Sequence, residues 1–318
     1  MADMNKTKTK ILVVLGPTSS GKSDMAVELA LKFGGEVVSA DSRQVYRGLN
    51  IGTGKITAAE MKGVPHHCLD IADPKERFTA MDWKRAAEAA IADIVSRGKL
   101  PIICGGTGFY ISSLVDDLGF PDVEADTEEQ KKLEERSAEE LFEELKRLDP
   151  VRAATIDLKN KRRLSRAILI ARKLGSVPEI ARPEPGAQKY DTLQIGIILS
   201  DQALRDHINA RLHSRLDAGM IKEVERLHEA PPAGDSPKSC KAAGLSYERM
   251  DELGLEYRYI AQFLQMKLSQ LDMIRLLSTH IWQYAKRQKT WFKKDARIRW
   301  FAPTARAEIE AAVSEFLK

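Results

Sequence analysis

An apolar run, Ile11 to Leu15, leads straight into Gly16-Pro17-Thr18-Ser19-Ser20-Gly21-Lys22-Ser23, and a helical pattern follows. In that setting the spacing G-x-x-x-x-G-K-[ST] builds a loop whose backbone N–H groups wrap an anion at a helix N-terminus. Lys22 can reach the terminal phosphate, and the Ser23 hydroxyl can ligand Mg²⁺. A strand, a phosphate loop and a helix therefore open the fold, and a di- or triphosphate is the expected ligand. The motif does not say what happens to the phosphates.

Short Val- and Ile-rich segments followed by helical patterns recur at Ile11–Leu15, 37–40 and 100–104, and Leu193 to Leu199 reads as one more strand. Such alternation predicts an α/β fold, a parallel sheet flanked by helices. Gly105-Gly106-Thr107-Gly108 closes the third strand, so Thr107 is placed at a strand's carboxyl end, where open α/β sheets bind ligands. Asp41-Ser42-Arg43-Gln44, after the second strand, reaches the same edge.

From Asp126 to Leu174 the pattern is charged helix, with apolar residues three and four apart such as Leu164, Ile168 and Ala171. This reads as a helical insert domain, giving a first core part at 1–120, the insert at 121–189, and core completion with a helical tail at 190–318. Pro231 to Gly234 marks an exposed loop. In the tail, Leu268, Leu271, Ile274, Leu277, Ile281 and Ala285 form one apolar stripe expected to pack on the core.

The net charge of +4 hides uneven charge along the chain. Residues 121–144 carry eleven carboxylates against three basic residues, whereas 159–173 hold seven Lys or Arg and no acid. Residues 286–299 hold seven Lys or Arg and one Asp, interleaved with Trp291, Phe292 and Ile298. A polyanion partner and a pair of solvated helix faces both fit this charge. Cys68, Cys104 and Cys240 are too scattered for a disulfide framework or a zinc site. The basic, polar start and the short first apolar run suit neither a signal peptide nor a membrane span, so a cytoplasmic location and no membrane contact are expected.

Most phosphate loops serve NTPases or kinases, which hold Mg²⁺ with a carboxylate after an apolar strand. Asp41 and Asp70 are the two candidates for that role. Asp41 lies in Ser-Ala-Asp-Ser-Arg-Gln-Val-Tyr, a run more polar than a metal ligand alone requires. A carboxylate among amides and hydroxyls suits the positioning of an amine.

These motifs also carry a resemblance. GPTSSGKS, SADSRQVYRGLNIGTGK, HHCLDIADP, GGTGFYISSL, KRRLSRAILIARKLG and YAKRQKTWF occur in the order seen in bacterial tRNA dimethylallyltransferases, the tRNA isopentenyltransferase family. The resemblance runs from about Ile11 to Phe301. It implies a P-loop kinase-like fold with a helical insert, and transfer of a dimethylallyl group from dimethylallyl diphosphate to the exocyclic amine of the adenosine beside the tRNA anticodon.

The resemblance implies site residues as well. Gly16 to Ser23 would hold the diphosphate, with Thr18 near its bridging oxygen, Lys22 on its charge and Ser23 on Mg²⁺. Arg211 matches the second Arg of a helical R-x-x-x-R motif and would clamp the diphosphate. Asp41 matches the general base, and Ser42, Arg43, Gln44 and Thr107 match residues that meet the tRNA. Arg162, Arg163, Leu164, Ser165 and Arg166 match an insert segment that grips the anticodon stem-loop. Lys286, Arg287, Gln288, Thr290 and Trp291 match a C-terminal RNA-contacting segment, and Lys241 to Ser246 aligns with another. A monomer is expected.

Three positions depart from the family pattern. His207 replaces the first Arg of R-x-x-x-R, Leu245 stands near an expected aromatic, and Ile56 stands where Pro is common. His66-His67 is read as structural, because neighbours on a strand point to opposite faces. Prenyl transfer to free AMP, ADP or ATP is the alternative from the same fold, and a small-molecule kinase comes next. A non-catalytic RNA binder would leave the intact phosphate loop unexplained.

Overall fold

The computed structural model describes residues 8–121, 123, 127–181, 183–184, 186–229 and 244–318. Pro231 to Gly234, Cys240 and Lys241 to Ala243 lie outside them. The chain divides into two compact units, one of residues 1–116 and 187–318 and the other Asp117–Gly186. The insert thus occupies 117–186, where the sequence pattern suggested 121–189.

The larger unit is built on six parallel strands, β1 (Thr9–Leu15), β2 (Gly35–Ala40), β3 (His66–His67), β4 (Leu100–Gly105), β5 (Tyr190–Ile197) and β6 (Ile298–Phe301), in the order β3-β2-β4-β1-β5-β6. Strand β1 runs between β4 and β5, and Ile11 to Leu15 are fully buried. Its side chains alternate between two cores: Ile11, Val13 and Leu15 enter one, and Leu12 and Val14 the other. A parallel strand covered on both faces by helices has to be apolar at every position, and this run is.

The helix Lys22–Phe33 starts at left-handed Gly21 and stops at left-handed Gly34, whose N–H donates to the Ala30 carbonyl. Paired register places Leu15 beside Gly105 and Gly105 beside Ala40. The phosphate loop, Asp41 and Thr107 therefore leave the sheet at one edge.

Two expectations change. The basic stretch 286–299 is not one surface segment, because it runs into β6, the edge strand beside β5, where Ile298 is buried. The apolar stripe of the tail starts later than its sequence suggests. Ser269 caps the helix Gln270–Phe292 by accepting the Asp272 N–H, so Leu268 precedes the helix and Leu271, in its first turn, is 77% exposed. Met273, Leu277, Ile281 and Ala285 form the buried face instead.

In the insert, helices Thr127–Glu135, Ala138–Leu148, Pro150–Ala153 and Lys161–Leu174 surround a separate core containing Leu141, Leu145, Leu164 and Ile168. Ser137 and Glu140 form a capping box, and Asn160 caps the last helix by accepting the Arg163 N–H.

Candidate active site

The phosphate loop closes tightly. A Cβ at Gly16 would stand 2.6 Å from the Ile197 carbonyl oxygen, and φ is +63° at Ser19, a costly conformation for a residue with a side chain. The Ser19 and Ser20 hydroxyls are buried without a hydrogen-bond partner among the described residues. Orphaned buried hydroxyls in a phosphate-loop turn fit an anion seat. Lys22 Nζ donates to the Pro17 carbonyl at 3.3 Å. Burial draws its ammonium below the ordinary lysine range, with Arg211 adding to the effect and Cys104 and Asp41 opposing it. Burial also pushes the adjacent Cys104 thiol up to about 11, so it stays neutral.

Asp41 begins the turn after β2. Its Oδ1 accepts the Arg43 N–H at 2.8 Å and the Gln44 N–H at 3.3 Å. Thr107 Oγ1 accepts the Ser42 N–H at 3.0 Å, which ties the ends of β2 and β4 together. Gln44 Nε2 donates to the Gly54 carbonyl at 3.3 Å, while its Oε1 accepts from the Ser39 hydroxyl at 3.3 Å. These bonds assign both ends of the Gln44 amide. Asp70, the other carboxylate considered for a metal, instead pairs with Lys55 at 2.5 Å.

Thr18, Lys22, Ser23, Asp41 and Arg211 line one cavity of about 370 Å³. Ser42, Arg43, Gln44 and Tyr284 line it too. Arg211 is drawn below its ordinary value by burial and then by Arg215. His207 Nδ1 lies 3.3 Å from the Ser19 carbonyl oxygen, so the residue that departs from the family motif still reaches the loop.

Several residues lining this cavity or supporting its wall are not evident in the sequence. Arg215 lies one turn after Arg211, pairs with Glu256 at 3.0 Å and donates to the Gly52 carbonyl at 3.0 Å. Its spacing from Arg211 places both on one helix face, a signal that was available. Tyr284 lies beside Thr107, and burial raises its phenol above the usual range. Glu223 accepts the N–H groups of Asn50, Ile51 and Gly52 and the Tyr257 hydroxyl. No local pattern announces that role.

A magnesium ion fits these residues in one manner only. No cluster of three His, Cys, Asp or Glu side chains suited to a metal occurs among the described residues. Mg²⁺ commonly takes one or two protein oxygens and completes its shell with phosphate and water, which matches Ser23 at the rim of this cavity.

The residues expected at RNA divide by burial. Arg162 and Arg163 are exposed at the start of the insert helix Lys161–Leu174. Leu164 and Ser165 are fully buried, so their side chains pack the insert and do not face a partner. A helix cannot present five consecutive residues on one face. Arg166 donates to the Val123 carbonyl at 2.6 Å, a bond that anchors it within the insert. In the larger unit Lys286, Arg287, Thr290 and Trp291 are exposed and line a shallow groove, but Gln288 is buried. Leu245 is also buried, its N–H donating to the Leu227 carbonyl at 2.8 Å, so it fills an apolar position.

Fold and site define a phosphate-loop α/β protein carrying a helical insert. Residues 44–295 match the IPP transferase family. The chain is 40% identical over 287 residues to a tRNA dimethylallyltransferase 1 of Geotalea uraniireducens, covering 90% of this chain and 89% of that one. It is 37% identical over 310 residues to the tRNA dimethylallyltransferase of Anoxybacillus flavithermus, covering 97% and 95%. Among solved structures, the tRNA isopentenylpyrophosphate transferase of Bacillus halodurans superposes with a TM-score of 0.68 at 32% identity over 98% of this chain and 97% of that one. A eukaryotic dimethylallyltransferase acting on tRNA gives 0.77 at 26% identity over 96% and 77%. The chain belongs to the IPP transferase family.

Proposed function

We propose that this protein transfers a dimethylallyl group from dimethylallyl diphosphate to the exocyclic amine of the adenosine 3′-adjacent to a tRNA anticodon, releasing diphosphate. One observation carries the reading: the phosphate-loop residues Thr18 and Lys22 and the carboxylate of Asp41 line the same cavity.

The allylic carbon–oxygen bond loosens first, leaving positive charge on carbon and negative charge on the departing diphosphate. Loop N–H groups, Lys22 and Arg211 are preorganised to stabilise that diphosphate. Mg²⁺, held through Ser23 and the substrate's own phosphate oxygens, would add positive charge at the same place. An adenine amine is a weak nucleophile because its lone pair is shared with the ring. Asp41 accepts its proton as the new carbon–nitrogen bond forms. The acceptor base has to leave its stack to enter the cavity, at lower cost in a single-stranded loop than in a duplex. Arg43 and Gln44 would meet it there.

Exposed Arg162 and Arg163 on the insert, and Lys286 and Arg287 on the larger unit, supply charge for RNA phosphates. A free adenine nucleotide as acceptor would leave both surfaces without purpose. The protein would act as a monomer in the cytoplasm; no helix of the described residues is long and apolar enough to cross a membrane. The test is incubation with dimethylallyl diphosphate, Mg²⁺ and unmodified tRNA, followed by digestion. Isopentenyl-adenosine in the digest is the expected product. Phosphate transfer from ATP to a small acceptor would replace this reading with a kinase.

A further inference from the structure

The Gln288 side chain sits on the helix Gln270–Phe292 within the segment expected to touch RNA, yet it is only 6% exposed. Its Oε1 accepts the Thr18 N–H at 2.9 Å, and its Nε2 donates to the Gly106 carbonyl at 2.8 Å. Two partners of opposite sense fix the orientation of the amide. The turn after β4 is shaped around this contact: a Cβ at Gly106 would lie 2.3 Å from Gln288 Nε2, and one at Gly108 would lie 2.2 Å from Trp291 Cδ1. Neither glycine has φ in the left-handed region, so close approach, not backbone freedom, requires them.

From this we infer that Gln288 is a positioning residue of the diphosphate site and not part of the RNA surface. This inference rests on the proposed prenyl transfer. By holding the Thr18 N–H, Gln288 turns one peptide of the phosphate loop away from the anion and sets where Thr18 stands on the cavity wall. By holding the Gly106 carbonyl, it locks that loop to the turn carrying Thr107, whose hydroxyl fixes Ser42 beside Asp41. A single amide thereby sets the spacing between the strand ends that carry Thr18 and Asp41. The neighbouring Lys286 and Thr290 stay exposed and line only the shallow outer groove.

Binding measured one partner at a time separates the two roles. Dimethylallyl diphosphate with Mg²⁺ is titrated without RNA, and an anticodon stem-loop RNA is titrated without prenyl donor. Gln288→Met keeps side-chain length but removes both bonds. It is expected to weaken diphosphate binding about tenfold, the scale of a buried group losing its partner, and to leave RNA affinity within about twofold. Lys286→Ala should do the reverse. Gly106→Ala pushes the same amide from the opposite side and should reproduce the diphosphate loss, which keeps the test decisive if Gln288→Met does not fold. Loss of RNA affinity with intact diphosphate binding in Gln288→Met would overturn the inference, as would wild-type diphosphate binding in whichever of the two variants folds. Failure of the wild-type protein to bind dimethylallyl diphosphate would instead refute the prenyl-transfer reading.

Discussion

Asp41 Oδ1 accepts the backbone N–H of Arg43 at 2.8 Å, so the carboxylate proposed as the base is oriented by the turn it begins. Arg43 and Gln44, expected beside the acceptor base, take their backbone positions from the same oxygen. An amide can accept those N–H groups in place of the carboxylate, but it cannot take a proton. Asp41→Asn should therefore keep its melting temperature and its affinity for dimethylallyl diphosphate while turnover falls about 10²- to 10⁴-fold. Single-turnover product formation checks this; undiminished turnover would move the base elsewhere.

Phosphate contacts make RNA affinity fall with salt, and each neutralised contact lowers the slope of log affinity against log salt by about 0.7 to 0.9. Arg162→Ala and Lys286→Ala, both exposed positions, should each flatten the slope by about that amount. Arg166→Ala differs, because its guanidinium bonds the Val123 carbonyl. It is expected to lower the stability of the insert as well, visible as a separate early melting step. Unchanged slopes in both exposed variants would remove these residues from the RNA surface.

The phosphate loop and four of the six strands are legible in the sequence because each is encoded locally, as an eight-residue spacing or an apolar run. Strand β6 is hidden because an edge strand needs few apolar residues, and Arg299 and Trp300 surround its buried Ile298 with basic and aromatic character. Strand β3 is only two residues long. Leu164 shows the limit of a contiguous motif: its spacing with Ile168 already marked it as core, while the motif placed it at RNA. Gln288 and Glu223 are unreadable for another reason. Gln288 reaches Thr18 across 270 residues of chain, and Glu223 reaches Gly52 across 171, so no local pattern could pair them.

Glu36 offers a test of stability against pH. The Arg97 guanidinium, assisted by His67, holds this buried carboxyl down to about 2, well under its usual range. A lowered carboxyl pKa stabilises the fold above the unfolded-state value and loses that contribution as pH falls toward the folded one. With Arg97 partly exposed, solvent screening discounts that contribution. Glu36→Gln should be less stable than wild type at pH 7, and the difference should shrink between about pH 4.5 and pH 2. Urea midpoints across that range measure it; a gap independent of pH would show that the pair is not the cause.

Glu223 is 6% exposed and holds three consecutive backbone N–H groups together with the Tyr257 hydroxyl. That loop in turn presents the Gly54 carbonyl that receives the Gln44 amide. Removing the carboxylate by Glu223→Ala strands several buried donors at once, at a cost of roughly 2–4 kcal/mol. Glu223→Gln, which still accepts through one oxygen, should cost less. Because the disturbed loop holds the amide of Gln44, which is proposed to meet the acceptor base, the milder variant should raise the KM for RNA while leaving that for dimethylallyl diphosphate unchanged. Denaturant unfolding together with the two KM values tests both halves: equal rises in both would mean the carboxylate supports the cavity as a whole, not the Gln44 side of it.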